Sequence, residues 1–322
     1  MRLLLASVAL TAFAGTASAE LIFVSNERDN TVTVLDGEQD YAVVKTIETS
    51  ARPRGIITSH DGSLIYVCAG DDNRLDVVDV ASLEIVNQFD SGPDPELLAV
   101  DHAGGRIYIA NEDDSMVTVM LTGTGERIKE IGVGIEPEGM AVAPDDSMVV
   151  ATSESTGMAH FVDTETLELV GNTIVDTRPR HAEYEEDGDH VWVTSEIGGT
   201  VSVLDAKGFG VVQRIEFEVP GVKPELIQPV GLRFTHDGTK AFVALGPSNR
   251  VAVIDTETYE VLDYILVGQR PWHTEISLDG TRLYVANGLT NDLTIIDTAS
   301  HKALRSVPVG RLPWGVAVAE RP

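Results

Sequence analysis

The chain has 322 residues, 51 acidic against 23 basic side chains and a formal net charge of −28. Charge of that sign and size argues against nucleic acid and anionic membrane surfaces as partners, and it favours basic proteins. Cys68 is the only cysteine, so no intramolecular disulfide is possible and the fold must rest on its core.

Met1-Arg2, the apolar run Leu3 to Ala14 and Ala17-Ser18-Ala19 follow the order of a secretory leader with an A-x-A cleavage site. Residues 1–19 are therefore set aside as a cleaved signal peptide, and residues 20–322 are expected to form a single domain in the periplasm or outside the cell. Loss of Arg2 with the leader takes the charge to −29. No later stretch has the run of apolar residues a membrane helix needs.

A repeat follows. Prolines in an x-Pro-x setting precede apolar stretches at Pro53, Pro95, Pro137, Pro179, Pro229, Pro271 and Pro313, spaced by 42, 42, 42, 50, 42 and 42 residues. In each unit the proline opens a first strand, such as Gly315-Val316-Ala317-Val318. A turn follows, such as His60-Asp61-Gly62, His236-Asp237-Gly238 or Asp279-Gly280, and Asp-Gly between apolar runs signals a hairpin. Second strands contain Tyr66-Val67, Trp192-Val193 or Tyr284-Val285, and third strands close on Asp36, Asp79, Asp163, Asp205, Asp255 and Asp297. The third copy lacks that aspartate and has Met120 nearby. A fourth strand such as Ile265-Leu266-Val267-Gly268 leads to the next proline.

Four antiparallel strands in ~42 residues is the period of a propeller blade. The predicted fold class is all-β, a seven-bladed propeller. A solenoid would usually show capping units at its ends. Here the chain begins at a second strand, Leu21–Val24, and stops after a first strand, Gly315–Val318, so one blade combines both ends and closes the ring.

Tyr284-Val285-Ala286-Asn287, Val253-Ile254-Asp255, Val267-Gly268 and Asp279-Gly280 resemble the YVTN family of β-propeller repeats over essentially the whole chain after the leader. With its leader and repeat count, the chain is also similar to the subgroup found alongside pyrroloquinoline-quinone (PQQ)-dependent alcohol catabolism. That resemblance implies an accessory role beside a quinoprotein dehydrogenase and its exporter.

Loops at one end of a rigid scaffold are the usual place for function, here the mouth ringed by the x-Pro-x loops. The residues flanking the prolines include Arg52, Arg54, Arg178, Arg180 and Arg270, where composition predicts about one cation in fourteen positions, and they include Trp272 and Trp314. Arginine forks suit carboxylates or phosphates, and tryptophan offers a stacking face. This reads as a pocket for a compact or planar anion, and PQQ, a flat tricarboxylate, suits both features. The competing reading pairs Arg52, Arg54, Arg178 and Arg180 with Asp94, Glu96, Glu136 and Glu138 around the rim, and a third makes the face a protein-docking surface.

Two residues after the proline the copies read Gly55, Leu97, Gly139, His181, Gly231, His273 and Gly315. Glycine lets backbones crowd near the axis. His181 and His273 break that pattern two blades apart and read as channel-lining donors rather than metal ligands, since no third ligand accompanies them. His60, His102 and His236 read as turn residues. The eight-residue excess in one spacing falls within Glu218 to Gln228, a segment that reads as a flap over the mouth or as tolerated surface variation. Acidic loops such as Asp71-Asp72-Asn73 lack the EF-hand pattern.

No Gly-x-Ser-x-Gly, His-Glu-x-x-His, Walker or Cys-x-x-Cys-His motif is present. The expectation is a monomeric, non-enzymatic propeller that binds a small anion or a partner protein at the proline-loop mouth. One alternative is a docking platform for a dehydrogenase, cytochrome c or exporter component. The other is a propeller hydrolase of the lactonase type, whose dispersed channel residues leave no motif.

Overall fold

The structure, a computed structural model, describes residues 19–322. The leader reading falls almost wholly outside the described residues. The rest of the chain forms seven four-stranded antiparallel sheets arranged as a closed propeller. We number as blade 1 the sheet that joins Pro313–Glu320 to Glu20–Asn26, Thr31–Asp36 and Ala42–Glu48. Blades 2 to 7 open at Pro53, Pro95, Pro137, Pro179, Leu232 and Pro271. The predicted closure is present: Ile22 pairs with Val318 and Val24 with Val316, antiparallel and in register.

The proline is the first residue of the innermost strand in every blade but the sixth, where its missing N–H breaks no ladder bond. The inner strands of blades 2, 3, 4 and 7 shift register over the three residues after it, as between Pro53 and Ile56, which bends the strand at the channel mouth. Six of the seven residues before the prolines are left-handed, with φ from +46° at Asp94 to +60° at Arg178. Asparagine on the neighbouring second-to-third-strand loop holds this turn: Asn30, Asn73, Asn249 and Asn291 accept the backbone N–H of Arg52, Asp94, Arg270 and Leu312. The aspartates ending the third strands cap the next turn, as where Asp163 accepts the Thr166 N–H and Asp255 the Thr258 N–H.

Blade 6 departs. Its inner strand is only Leu232–Phe234. The extra residues before it are anchored, with Val219 and Ile227 buried in one core cluster with Trp192 and Leu245. Between blades the core is filled by second-strand aromatics, including Phe23, Tyr66, Tyr108, Trp192, Phe242 and Tyr284, all 2% exposed or less. Each such ring removes a large apolar surface from water and locks one blade against the next. Cys68 packs among them, fully buried.

Candidate functional site

The channel has two unlike ends. At the proline-loop end the residues just after the prolines form a layer across it: Arg54, Glu96, Glu138, Arg180, Val230, Trp272 and Trp314. The arginines here are committed to carboxylates. Arg54 reaches Glu96 at 2.8 Å and Glu27 at 3.1 Å, and Arg52 reaches Glu96 at 3.0 Å and also pairs with Asp94. Arg180, only 4% exposed, bridges Glu138 at 3.0 Å and Glu154. Arg178 reaches Glu154 at 2.7 Å, and Arg270 reaches Glu196 at 2.5 Å. Trp272 lies under the Arg270 guanidinium at 4.1 Å, a cation–π contact.

The expected rim pairing is therefore present for Asp94, Glu96 and Glu138. Glu136 instead accepts the Ser155 hydroxyl. Sequence reasoning missed Glu27, Glu154 and Glu196. Their signal was positional: Asn26-Glu27, Asn111-Glu112, Ser153-Glu154 and Ser195-Glu196 each follow the end of a second strand. With these included, five arginines face nine carboxylates (Glu27, Asp71, Asp94, Glu96, Glu112, Glu136, Glu138, Glu154 and Glu196), so the expected local excess of positive charge is reversed. Burial, reinforced by Glu96, pushes the Glu112 carboxyl up to about 7. Burial likewise holds the Glu138 carboxyl well above the usual range, against the pull of Arg180. Oxygens of Glu112 lie within 4.8 Å of Asp94 and Glu96 and, separately, of Glu136 and Glu154; neither group contains a histidine.

Beneath this layer the glycine pattern has a geometric meaning. Around the ring, Leu97, His181 and His273 alternate with Gly139, Gly231 and Gly315, and Gly55 completes the odd count. A Cβ on Gly231 would lie 2.6 Å from the His273 Cα, and one on Gly139 would lie 2.9 Å from the His181 Cα. Glycine next to each large residue therefore lets the imidazoles of blades 5 and 7 meet, with ring centroids 5.4 Å apart. His273 also packs on Trp314 at 4.1 Å.

His181, His273 and Trp314 border a cavity of about 350 Å³ in the channel. Its walls are largely apolar, including Ile56, Leu98, Met140 and Val316, and it reaches solvent past His102, Pro144 and Glu186 on the hairpin turns. The cavity thus opens at the end opposite the proline loops, and the Glu218–Gln228 segment does not cover it. Gln228 instead accepts from the Arg270 guanidinium at 2.6 Å on the proline-loop side. His102, read as a turn residue, stands at the opening with Nδ1 2.8 Å from the Asp146 carboxylate.

One side of the cavity is polar. Arg233 lies between Glu275, at 3.1 Å, and Glu183. Burial alone would raise the Glu183 carboxyl, but Arg233 and a hydrogen bond with His181 hold it below its ordinary value. His181 Nε2 lies 3.1 Å from Glu183 and 3.3 Å from Arg233, which leaves Nδ1 as its free ring nitrogen. That Nδ1, the Thr274 hydroxyl and the Trp314 indole N–H are buried without a hydrogen-bond partner among the described residues. Burial, with His181 and three arginines nearby, holds His273 far below its ordinary value and hence neutral.

The nine residues singled out from sequence therefore fall into two groups. Arg52, Arg54, Arg178, Arg180, Arg270 and Trp272 form the closed end. His181, His273 and Trp314 line the open cavity. Glu183, Arg233 and Thr274 were missed, although Glu183 and Arg233 stand where other inner strands carry Ile57, Ala99, Ala141 and Ala317.

A family model described as a YNCE-like β-propeller matches residues 229–321, under half of the chain. No curated protein matches the sequence. Among solved structures, the chain is similar to hydrazine synthase of Kuenenia stuttgartiensis, with TM-score 0.80 and 20% identity over 91% of this chain and 99% of that one. It is also similar to a putative 6-phosphogluconolactonase from Bacteroides fragilis, with TM-score 0.78 and 20% identity over 94% and 98%. A functionally unknown protein from Desulfotomaculum acetoxidans superposes with TM-score 0.80 at 12% identity over 94% and 99%. At these identities the likeness is one of fold: the chain is a seven-bladed β-propeller.

Proposed function

We propose that this propeller binds a small, mainly apolar molecule carrying a hydroxyl-like group in the cavity at the hairpin end of its channel. One observation carries the reading: a cavity of about 350 Å³ with largely apolar walls is bordered on one side by the side chains of His181, His273, Thr274 and Trp314. A cavity of this size with apolar walls and a few convergent polar groups has the character of a ligand site. A hydroxyl can donate to an imidazole or accept from one, so it suits a wall bearing two histidines in either tautomer.

The anionic reading finds less support. A flat tricarboxylate such as PQQ needs uncommitted cations, and the proline-loop arginines are paired with a larger number of carboxylates. The leader-like start and the repeat resemblance support a periplasmic or secreted setting and an accessory place beside PQQ-dependent alcohol oxidation.

The test is calorimetric titration of the protein with cyclohexanol as probe, with PQQ as the anionic comparison. The expected result is saturable millimolar binding of cyclohexanol, about −4 kcal/mol, lost in His181→Phe and His273→Phe. Absence of saturable binding, or binding indifferent to both substitutions, contradicts the proposal, and so does PQQ binding that depends on Arg178 and Arg270.

A second reading rests on His273, which is neutral, borders the cavity and has no hydrogen-bond partner among the described residues. A neutral imidazole there has the character of a general base for water attacking a lactone or ester carbonyl. A lactone and ester screen whose turnover disappears in His273→Phe supports this reading, and turnover retained in that variant overturns it.

A further inference from the structure

The proline-loop face has a second character that the channel does not use. Six large apolar side chains stand exposed on it, Ile135, Ile174, Ile197, Leu226, Leu266 and Leu289, each between 41% and 71% accessible. They lie on strand ends and loops of blades 4 to 7 that neighbour one another around the ring. The Ile135 N–H donates to the Thr156 hydroxyl at 2.6 Å, and the Val175 N–H, next to Ile174, donates to the Gly157 carbonyl. Asp176 accepts the Thr200 hydroxyl, and a Cβ on Gly199 would lie 3.4 Å from the Ile227 carbonyl. Gln228 bonds Arg270, and the Leu289 N–H donates to the Gln269 carbonyl. Val43, Val86 and Leu304, also exposed, stand near the starts of fourth strands, towards the opposite end of their blades.

The other sector of the same face, on blades 2 and 3, is acidic. Asp71, Asp72, Asp113 and Asp114 are exposed, and Asp72, Asp113 and Asp114 have no cationic partner among the described residues. Arg74, exposed beside them, leaves the sector net negative. Six large exposed apolar side chains gathered on one face give that face the character of an interaction surface. The acidic sector and the net charge disfavour a second copy of the chain or an anionic bilayer as occupant, through like-charge repulsion.

We infer that the proline-loop face docks a protein partner whose contact surface has an apolar patch bordered on one side by lysine and arginine. The apolar arc would supply the buried centre, and the aspartate sector would steer approach and set orientation. The site is independent of the channel cavity, which opens at the other end.

The test uses the full chain and a dye-labelled synthetic helix with a leucine face and a lysine border, beside a twin with serine for leucine. Fluorescence anisotropy at low salt should show saturable binding of the parent, with the twin at least about tenfold weaker. Ile174→Ser with Leu266→Ser should weaken the parent by a similar factor. Asp113→Asn with Asp114→Asn should weaken it at low salt but not at high salt. His181→Phe with His273→Phe should leave binding unchanged. These positions on the face are solvent-exposed, and an unchanged thermal midpoint confirms that each variant is folded. The inference is overturned if the parent does not bind, if parent and twin bind alike, or if neither face variant weakens binding. It is also overturned if sedimentation shows self-association that Ile174→Ser with Leu266→Ser abolishes, or if anionic vesicles bind the face.

Discussion

The two ends of the channel are built from the same inner strands and do opposite things. At the proline-loop end, arginines and carboxylates are packed into mutual ion pairs. At the hairpin end, a few residues further along those strands, apolar walls enclose a space bordered by two imidazoles. A high density of charge is thus the mark of the closed end, and the binding capacity lies where charge is sparse. Charge within a fold argues for a ligand only after its partners have been counted.

The largest expected effect lies at the closed end. Arg180→Met removes the buried cation shared by Glu138 and Glu154, leaving Arg178 as the remaining partner of Glu154, and should cost about 3–5 kcal/mol in urea unfolding. Adding Glu138→Gln should restore part of it. A loss below ~1 kcal/mol would mean that the layer is not what holds this end together. At the open end, His273→Phe should abolish probe binding while changing stability by only ~1 kcal/mol, a volume-tolerant swap at the cavity wall. Large destabilisation there would erase the contrast.

Between the two, Gly231→Ala would place a methyl 2.6 Å from the His273 Cα. Overpacking of that kind costs roughly 1–3 kcal/mol, and it should also separate the two imidazoles, seen as shifted histidine ring resonances. Glu112→Gln gives a smaller effect with a definite sign. Its carboxyl is raised in the fold from 4.5 to about 7. As pH rises through that window the unfolded chain releases the proton first, so this group lowers stability. The variant should therefore gain stability relative to the parent between pH 4.5 and about 7, checked by thermal midpoints across that range. An equal difference at all pH values would mean that Glu112 does not share the closed end's excess charge. The smallest effect is at Cys68, whose thiol burial pushes well above its ordinary value. It should resist maleimide at pH 8 in the native protein and react only in denaturant. Native labelling would show that the packing beneath the closed end opens.

Much of the fold was legible in the sequence because propeller geometry is local. The prolines, the Asp-Gly turns and the complementary ends follow from backbone chemistry within one ~42-residue unit. His181 and His273 were legible for the same reason, as departures from glycine in a fixed position. The arginines were visible, but their partners were not. Glu196 lies 74 residues from Arg270 and Glu154 lies 26 from Arg180, so only ring closure brings them together. Which mouth is open was also hidden, since it depends on how seven side chains fill one layer, a property no single repeat encodes. Thr274 and Glu183 escaped because alternation along a strand does not say which residues border a void.

The most direct measurement of the difference between the ends is nuclear magnetic resonance of ¹⁵N-labelled histidine and arginine side chains during titration with cyclohexanol. The account predicts that the His181 and His273 ring nitrogens shift saturably while the guanidinium signals of Arg52, Arg178 and Arg270 stay in place. Shifted arginine signals with unmoved imidazoles would contradict it and return the binding site to the proline-loop mouth.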